Sequence, residues 1–72
     1  MDFPQYRKLS NGLAYYKILD EKSFEELQIV GNKVVKHFVK AQKYPEMLKI
    51  KDLLSDKNRY LNSTDKEYDA IQ

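Results

Sequence analysis

The sequence predicts an α+β fold in which an N-terminal β-hairpin packs on a long central helix, followed by a second helix and a short C-terminal helix. Three observations lead to this fold. Asn11-Gly12 is a strong hairpin-turn signal, residues 24–43 are amphipathic with a helical period, and Pro45 and Thr64 each stand where a later helix would begin.

The hairpin prediction, for Tyr6 to Leu19, depends on Asn11-Gly12. This dipeptide is typical of a type I′ turn, because both central residues of that turn have positive φ. The register that follows gives four cross-strand pairs: Leu9 with Ala14, Lys8 with Tyr15, Arg7 with Tyr16, and Tyr6 with Lys17. Since an isolated hairpin is marginal in water, the pair of strands is expected to need a helix as cover.

The central helix is predicted from Phe24 to Lys43, because apolar side chains recur there on one helical face. Asp20 is its N-cap candidate, and carboxylates follow in the first turns, where they favour the helix dipole. Ser23 and Glu26 form an alternative capping box. Tyr44-Pro45 is expected to end the helix, since the residue before proline avoids the helical region.

A second structure is open for the same stretch. Gly31-Asn32 could form a two-residue hairpin turn, and the β-branched Val34, Val35 and Val39 favour a strand. In that alternative, residues 34–41 form a strand added to a small sheet. The helix is the first prediction because Val34 and Val35 are adjacent, which breaks the alternation expected of a half-buried strand.

The later part of the chain carries clearer local signals. Pro45 fits the first position of a second helix. The apolar stripe of that helix is Met47, Leu48, Ile50, Leu53 and Leu54. Tyr60-Leu61 is expected to add a brief strand at the hairpin edge. The segment Asp65–Ile71 is predicted to be a short helix, with Thr64 as N-cap and Glu67 completing a capping box.

The predicted core takes apolar residues from every element. It consists of Phe3, Tyr16, Ile18, Phe24, Leu27, Val34, Phe38, Met47, Ile50, Leu54 and Tyr68. Phe38 faces the hairpin in the predicted helix register. We therefore expect Phe38→Ala to cost about 3–5 kcal/mol of folding free energy.

Length and composition set limits on function. Residues 1–72 make a single small domain, and the absence of cysteine excludes disulfides and cysteine-based metal sites or nucleophiles. No apolar run approaches the ~20 residues of a membrane span, and the N-terminus lacks a signal-peptide pattern. We expect a cytoplasmic protein with no cofactor, no metal and no membrane partner.

An enzyme is not predicted. His37 has no serine or cysteine near it in sequence, and Glu25-Glu26 would point in directions about 100° apart on a helix. The two glycines are isolated, so there is no glycine-rich phosphate loop, and no small-molecule substrate is evident.

The middle of the chain is basic. Residues 33–51 contain six lysines against Glu46 alone, a net charge of +5 within a protein of net charge +2. On the predicted helix, one face would present Lys33, Lys36, Lys40 and Lys43 as candidate phosphate contacts. Weak, sequence-tolerant nucleic-acid binding is therefore an alternative function. A solvated face is the simpler interpretation, because arginine, the better reader of phosphates, is scarce.

The preferred function is that of a protein-interaction or self-association module, with a protein partner or a second copy of the chain as its ligand. The candidate interface consists of Tyr6, Leu13 and Tyr15 on the outer hairpin face and of Ile29, which falls on the polar face of the predicted helix. The alternative is that the C-terminal segment covers the outer hairpin face and completes the core.

Overall fold

A computed structural model describes residues 2–71 of the chain. Within this range the chain forms five strands and two helices. In chain order they are β1 (Gln5–Leu9), β2 (Ala14–Asp20), β3 (Ser23–Val30), β4 (Lys33–Lys40), α1 (Tyr44–Ser55), β5 (Tyr60–Asn62) and α2 (Asp65–Ile71). The strands form one antiparallel sheet in the order β4-β3-β2-β1-β5.

The two helices lie on opposite faces of this sheet. Helix α1 covers what we call the α1 face, where its Ile50 and Leu53 are buried in one core cluster. That cluster also contains Ala14, Tyr16, Ile18, Phe24, Ala41 and Tyr60. Helix α2 covers part of the other face, the α2 face, where Tyr68 is buried with its ring centroid 5.7 Å from that of Tyr6. The middle of the sheet is therefore covered on both sides.

The predicted long central helix is wrong. Residues 24–43 instead form most of β3, a turn, β4 and the connection to α1. Gly31 has φ +64° and Asn32 does not have a positive φ, which fits a type II′ hairpin turn. The alternative strand over residues 34–41 agrees closely with β4.

Burial explains why the alternation rule failed for these two strands. In β3, Phe24 and Leu27 are three residues apart and therefore point to opposite faces, yet both are buried because both faces are covered there. In β4, seven of the eight residues are exposed, and Val39 near its end packs against the core, so most of the strand is covered on neither face. Alternation of apolar and polar residues appears only where one face is buried and the other solvated.

The candidate N-cap residues close a turn between strands instead of starting a helix. The Asp20 carboxylate accepts hydrogen bonds from the Lys22 backbone N–H at 2.7 Å and from the Ser23 hydroxyl at 2.9 Å. These bonds to the charged form lower the pKa of Asp20 below its usual value. The residue types that cap helices also stabilise turns, for the same hydrogen-bonding reason.

Three of the four predicted hairpin pairs and the later elements are confirmed, whereas Leu9 and Ala14 are not paired. Lys8 pairs with Tyr15, Arg7 with Tyr16 and Tyr6 with Lys17. The turn itself differs from type I′, because Gly12 has φ +76° but Asn11 has no positive φ. Helix α1, the short strand β5 beside β1, and helix α2 all lie where the sequence predicts them.

The predicted core is correct on the covered strands and wrong on β4 and part of α1. Val34, Phe38 and Met47 are exposed. Because Phe38 is 61% exposed, Phe38→Ala cannot leave the cavity that the estimate of about 3–5 kcal/mol assumed. The core also contains four residues that the prediction left out: Ala14, Ala41, Leu53 and Tyr60.

Candidate protein-interaction site

Strand β4 forms one edge of the sheet, where it pairs only with β3 among residues 2–71. It is eight residues long, whereas β5 at the opposite edge has three. Its exposed apolar side chains are Val34 (43%), Val35 (39%) and Phe38 (61%), and Val30 beside the turn is 58% exposed. A long edge strand with exposed apolar side chains is the type of surface that another strand can extend.

One set of backbone groups of β4 faces away from β3. The Ala41 N–H donates to the Lys22 carbonyl oxygen at 2.6 Å, so Ala41 belongs to the set of residues that bond toward β3. Residues of an antiparallel strand alternate in this respect. The N–H and C=O groups of Val34, Lys36, Phe38 and Lys40 therefore point away from the sheet.

The cross-strand register divides the side chains of β4 between the two faces of the sheet. The α1 face receives Lys33, Val35, His37 and Val39, and the α2 face receives Val34, Lys36, Phe38 and Lys40. Each face of the strand thus combines apolar and cationic side chains. No Asp or Glu occurs in the strand.

Acidic residues on the neighbouring strand β3 bind partners within the domain. Glu25 lies opposite Phe38 and accepts a hydrogen bond from the Tyr68 hydroxyl at 3.1 Å. The Lys36 ammonium lies 3.7 Å from the same Glu25 oxygen. Burial, and then the bond to Glu25, raise the pKa of Tyr68 above its usual value. This carboxylate therefore connects α2 to the edge hairpin.

Glu26 plays the corresponding role on the α1 face. It lies between Tyr16 of β2 and His37 of β4 in the register. Burial, and next the hydrogen bond to Glu26, raise the pKa of Tyr16. Glu25 and Glu26 thus stabilise neutral tyrosines on opposite faces of the sheet.

The four residues of the predicted interface lie on or beside the α2 face. Tyr6 and Tyr15 are half-buried there, and the Ile29 N–H donates to the Leu13 carbonyl oxygen at 2.9 Å. Leu13 is exposed, and Ile29 lies opposite Val34 of β4. The prediction placed Ile29 on a helix, so its proximity to Leu13 could not be foreseen.

The apolar residues of β4 were not among the predicted interface residues. The available signal was the same Gly31-Asn32 turn that supported the alternative strand. If residues 33–40 are a strand at the end of a sheet, their valines and Phe38 become surface residues.

The candidate phosphate contacts do not form a single face. Lys36 and Lys40 lie on the α2 face, Lys33 on the α1 face, and Lys43 precedes α1. The row of lysines that a helix would have aligned along a phosphate backbone is therefore divided.

A second polar cluster lies on the α1 face. The Lys49 ammonium donates to the Tyr60 hydroxyl at 2.7 Å and lies 5.2 Å from the centroid of the Tyr16 ring. Tyr16 and Tyr60 pack edge to face with centroids 5.6 Å apart. These contacts join α1 to the sheet, so the Lys49 ammonium and the Tyr60 hydroxyl have a structural role.

Two open recesses adjoin Phe3, with volumes of about 540 and 300 Å³. Glu21 lines both of them, and Met47 lines the smaller. Residues 2–71 contain no group of three or more His, Asp or Glu side chains arranged to hold a metal ion. Neither α1 nor α2, the helices of this range, is long and apolar enough to cross a membrane.

Comparison of the chain with protein-family models, with curated proteins and with solved structures gives no match.

Proposed function

We propose that this protein is a small non-enzymatic domain that acts through protein contact, and that the contact is made by the edge of strand β4. The single observation that carries the proposal is the exposure of apolar side chains on both faces of an eight-residue edge strand. Proteins usually protect such an edge by shortening, bending or covering it, or by placing lysine on it, and the lysines are the device that β4 carries.

The surroundings of β4 support this proposal. The strand is held in place from behind, because β3 pairs with it along its whole length from Val30–Lys33 to Ser23–Lys40. Glu25 links its Lys36 to the buried Tyr68 of α2. A partner would therefore bind a preorganised strand, which reduces the entropy lost on binding.

A partner strand would be recognised by both the backbone and the side chains of β4. The outward N–H and C=O groups of Val34, Phe38 and Lys40 supply backbone hydrogen bonds of the kind used in strand addition, and they contribute affinity for any extended chain. The side chains of β4 contribute selectivity, because a partner strand places its residues directly opposite them. Phe38 is the largest exposed side chain of the strand and the expected anchor.

Site-specific photocrosslinking tests the proposal. A photoreactive phenylalanine analogue replaces Phe38 in one variant and Met47 of α1, which is 52% exposed, in the control variant. We expect Phe38 to give protein adducts in lysate of the source cells, and we expect unlabelled wild-type domain to compete for them. Competition makes the adducts a measure of saturable binding.

A competitor with a blocked edge completes the experiment. Phe38→Pro removes an outward N–H, whereas Phe38→Ala keeps it, so the proline variant should compete less well than the alanine variant. Equal adducts from Phe38 and Met47, or adducts that wild-type domain fails to compete, would refute the proposed contact.

A further inference from the structure

We propose that the partner of β4 is an extended acidic segment of another protein, with apolar residues between its carboxylates, that pairs antiparallel with β4 as the next strand of the sheet. This inference rests on the proposed function and specifies the chemistry of the ligand. Antiparallel pairing is chosen because it is slightly more stable per residue than parallel pairing.

The charge of β4 determines the choice of an acidic partner. The strand carries Lys33, Lys36 and Lys40, together with His37, and no carboxylate. Within residues 2–71, neither Lys33 nor Lys40 takes part in an ion pair. Opposite charges on directly facing residues of paired strands stabilise the pair, and like charges destabilise it.

The same charges argue against a second copy of the chain. Outward residues pair only with outward residues, so a twofold axis between two β4 strands passes at a residue. With the axis at Lys36 this lysine faces its own copy, and with the axis at Phe38 it faces Lys40 twice. With the axis at His37, Lys36 and Lys40 of the two copies are diagonal neighbours on one face. Lysine on an edge strand is a known device against association between identical edges. Strand β4 is therefore apolar enough to bind another strand and too basic to pair well with a second copy of β4.

The order of residues in β4 gives the pattern of the partner. Carboxylates should lie opposite Lys33, Lys36 and Lys40, and apolar residues should lie opposite the valines and Phe38. Read from its N-terminus, an antiparallel segment with this pattern is Glu-Val-Val-Thr-Glu-Val-Val-Glu. Its apolar residues would fall on both faces, where β4 exposes Val34, Val35 and Phe38.

The test uses two fluorescein-labelled peptides. The acidic probe has the sequence Glu-Val-Val-Thr-Glu-Val-Val-Glu, and the basic probe has lysine in place of each glutamate. Fluorescence anisotropy with the full domain is expected to give at least about tenfold tighter binding of the acidic probe. The preference should weaken as salt rises, because the lysines are exposed to solvent.

Charge reversal on the protein provides the matched control. Lys33→Glu with Lys40→Glu should reverse the preference in favour of the basic probe, and Lys36 is left unchanged because it pairs with Glu25. Lys51→Glu with Lys57→Glu changes net charge equally at exposed positions outside β4 and should leave the preference intact. Circular dichroism of each variant verifies that the fold is retained.

Three results would overturn the inference. Equal binding of both probes would mean that β4 docks extended chains without charge selection. Binding of neither probe would exclude an acidic strand, while the crosslinking at Phe38 would still decide whether the edge contacts another protein. Sedimentation showing a dimer of the free domain that Phe38→Pro dissociates would identify a second copy as the occupant.

Discussion

Strands β2 and β4 of this domain differ in how far they are covered more than in their composition. Both β2 and β4 are rich in apolar residues, yet β2 has buried Tyr16 and Ile18 at its centre while β4 exposes Val35 and Phe38. β2 lies inside the sheet between helices on opposite faces, and β4 lies at its edge. Position in the sheet, which the strand's own residues do not encode, decides whether an apolar side chain serves stability or contact.

This comparison separates two roles for apolar residues. Those of β2 stabilise the domain, so their loss should be visible in unfolding experiments. The exposed ones of β4, Val34, Val35 and Phe38, contribute little to folding, so their loss should be visible mainly in binding. The following predictions test that separation, beginning with the largest expected effect.

Ile18→Ala should destabilise the domain by about 2–5 kcal/mol, because Ile18 is fully buried under α1 and truncation leaves a cavity. A small domain has little stability in reserve, so much of the protein could unfold. Chemical denaturation followed by circular dichroism measures the loss. A change below about 1 kcal/mol would contradict the assignment of this hairpin to the core.

Alkaline pH should weaken the domain through the two tyrosines bonded to β3. Burial and the carboxylates raise the pKa of Tyr16 and Tyr68 above the value of about 10 expected in the unfolded chain. Their contribution to stability is therefore fully present below about pH 10 and is lost as the pH rises through the folded-state pKa. Denaturation at increasing pH measures this decline.

The variant Tyr68→Phe measures how much Tyr68 contributes to this pH dependence of stability. Tyr68→Phe removes the hydroxyl that donates to Glu25, so its stability should decline less steeply above about pH 10 than that of wild type. An equally steep decline in both proteins would indicate that Tyr68 does not contribute to the pH dependence.

Phe38→Ala should change the free energy of unfolding by less than about 1 kcal/mol, because its side chain is mostly exposed and leaves no cavity. Comparison with Ile18→Ala in the same denaturation experiment gives the contrast directly. If Phe38→Ala proved as destabilising as Ile18→Ala, Phe38 would have to be buried in the isolated domain, and the exposed edge would not exist.

The parts of the fold that could be predicted carry their signals locally. The dipeptide Asn11-Gly12 sets the β1–β2 register, Pro45 marks the start region of α1, and Thr64 accepts a hydrogen bond from the Glu67 N–H of α2 at 3.2 Å. Each signal depends on a few neighbouring residues. The Glu67 carboxylate accepts hydrogen bonds from Ser63 and Lys8, which were not part of the predicted capping box.

The parts that could not be predicted depend on which elements lie on either side. The spacing of apolar residues in β3 and β4 resembles a helix, because one strand is covered on both faces and most of the other on neither. Prediction of the interface residues also required knowing which faces of each strand are covered. Tyr6 and Tyr15 followed from the hairpin register, while Phe38 was assigned to the core and only the topology places it at an edge.

Hydrogen exchange along β4, with and without the acidic peptide, tests the central claim most directly. In the free domain the amides of Val35, His37 and Val39 should be protected by β3, while those of Val34 and Phe38 should exchange rapidly. Addition of the peptide should protect Val34 and Phe38 selectively, as a strand paired with β4 requires. If peptide binds while these two amides continue to exchange rapidly, β4 is not the docking edge.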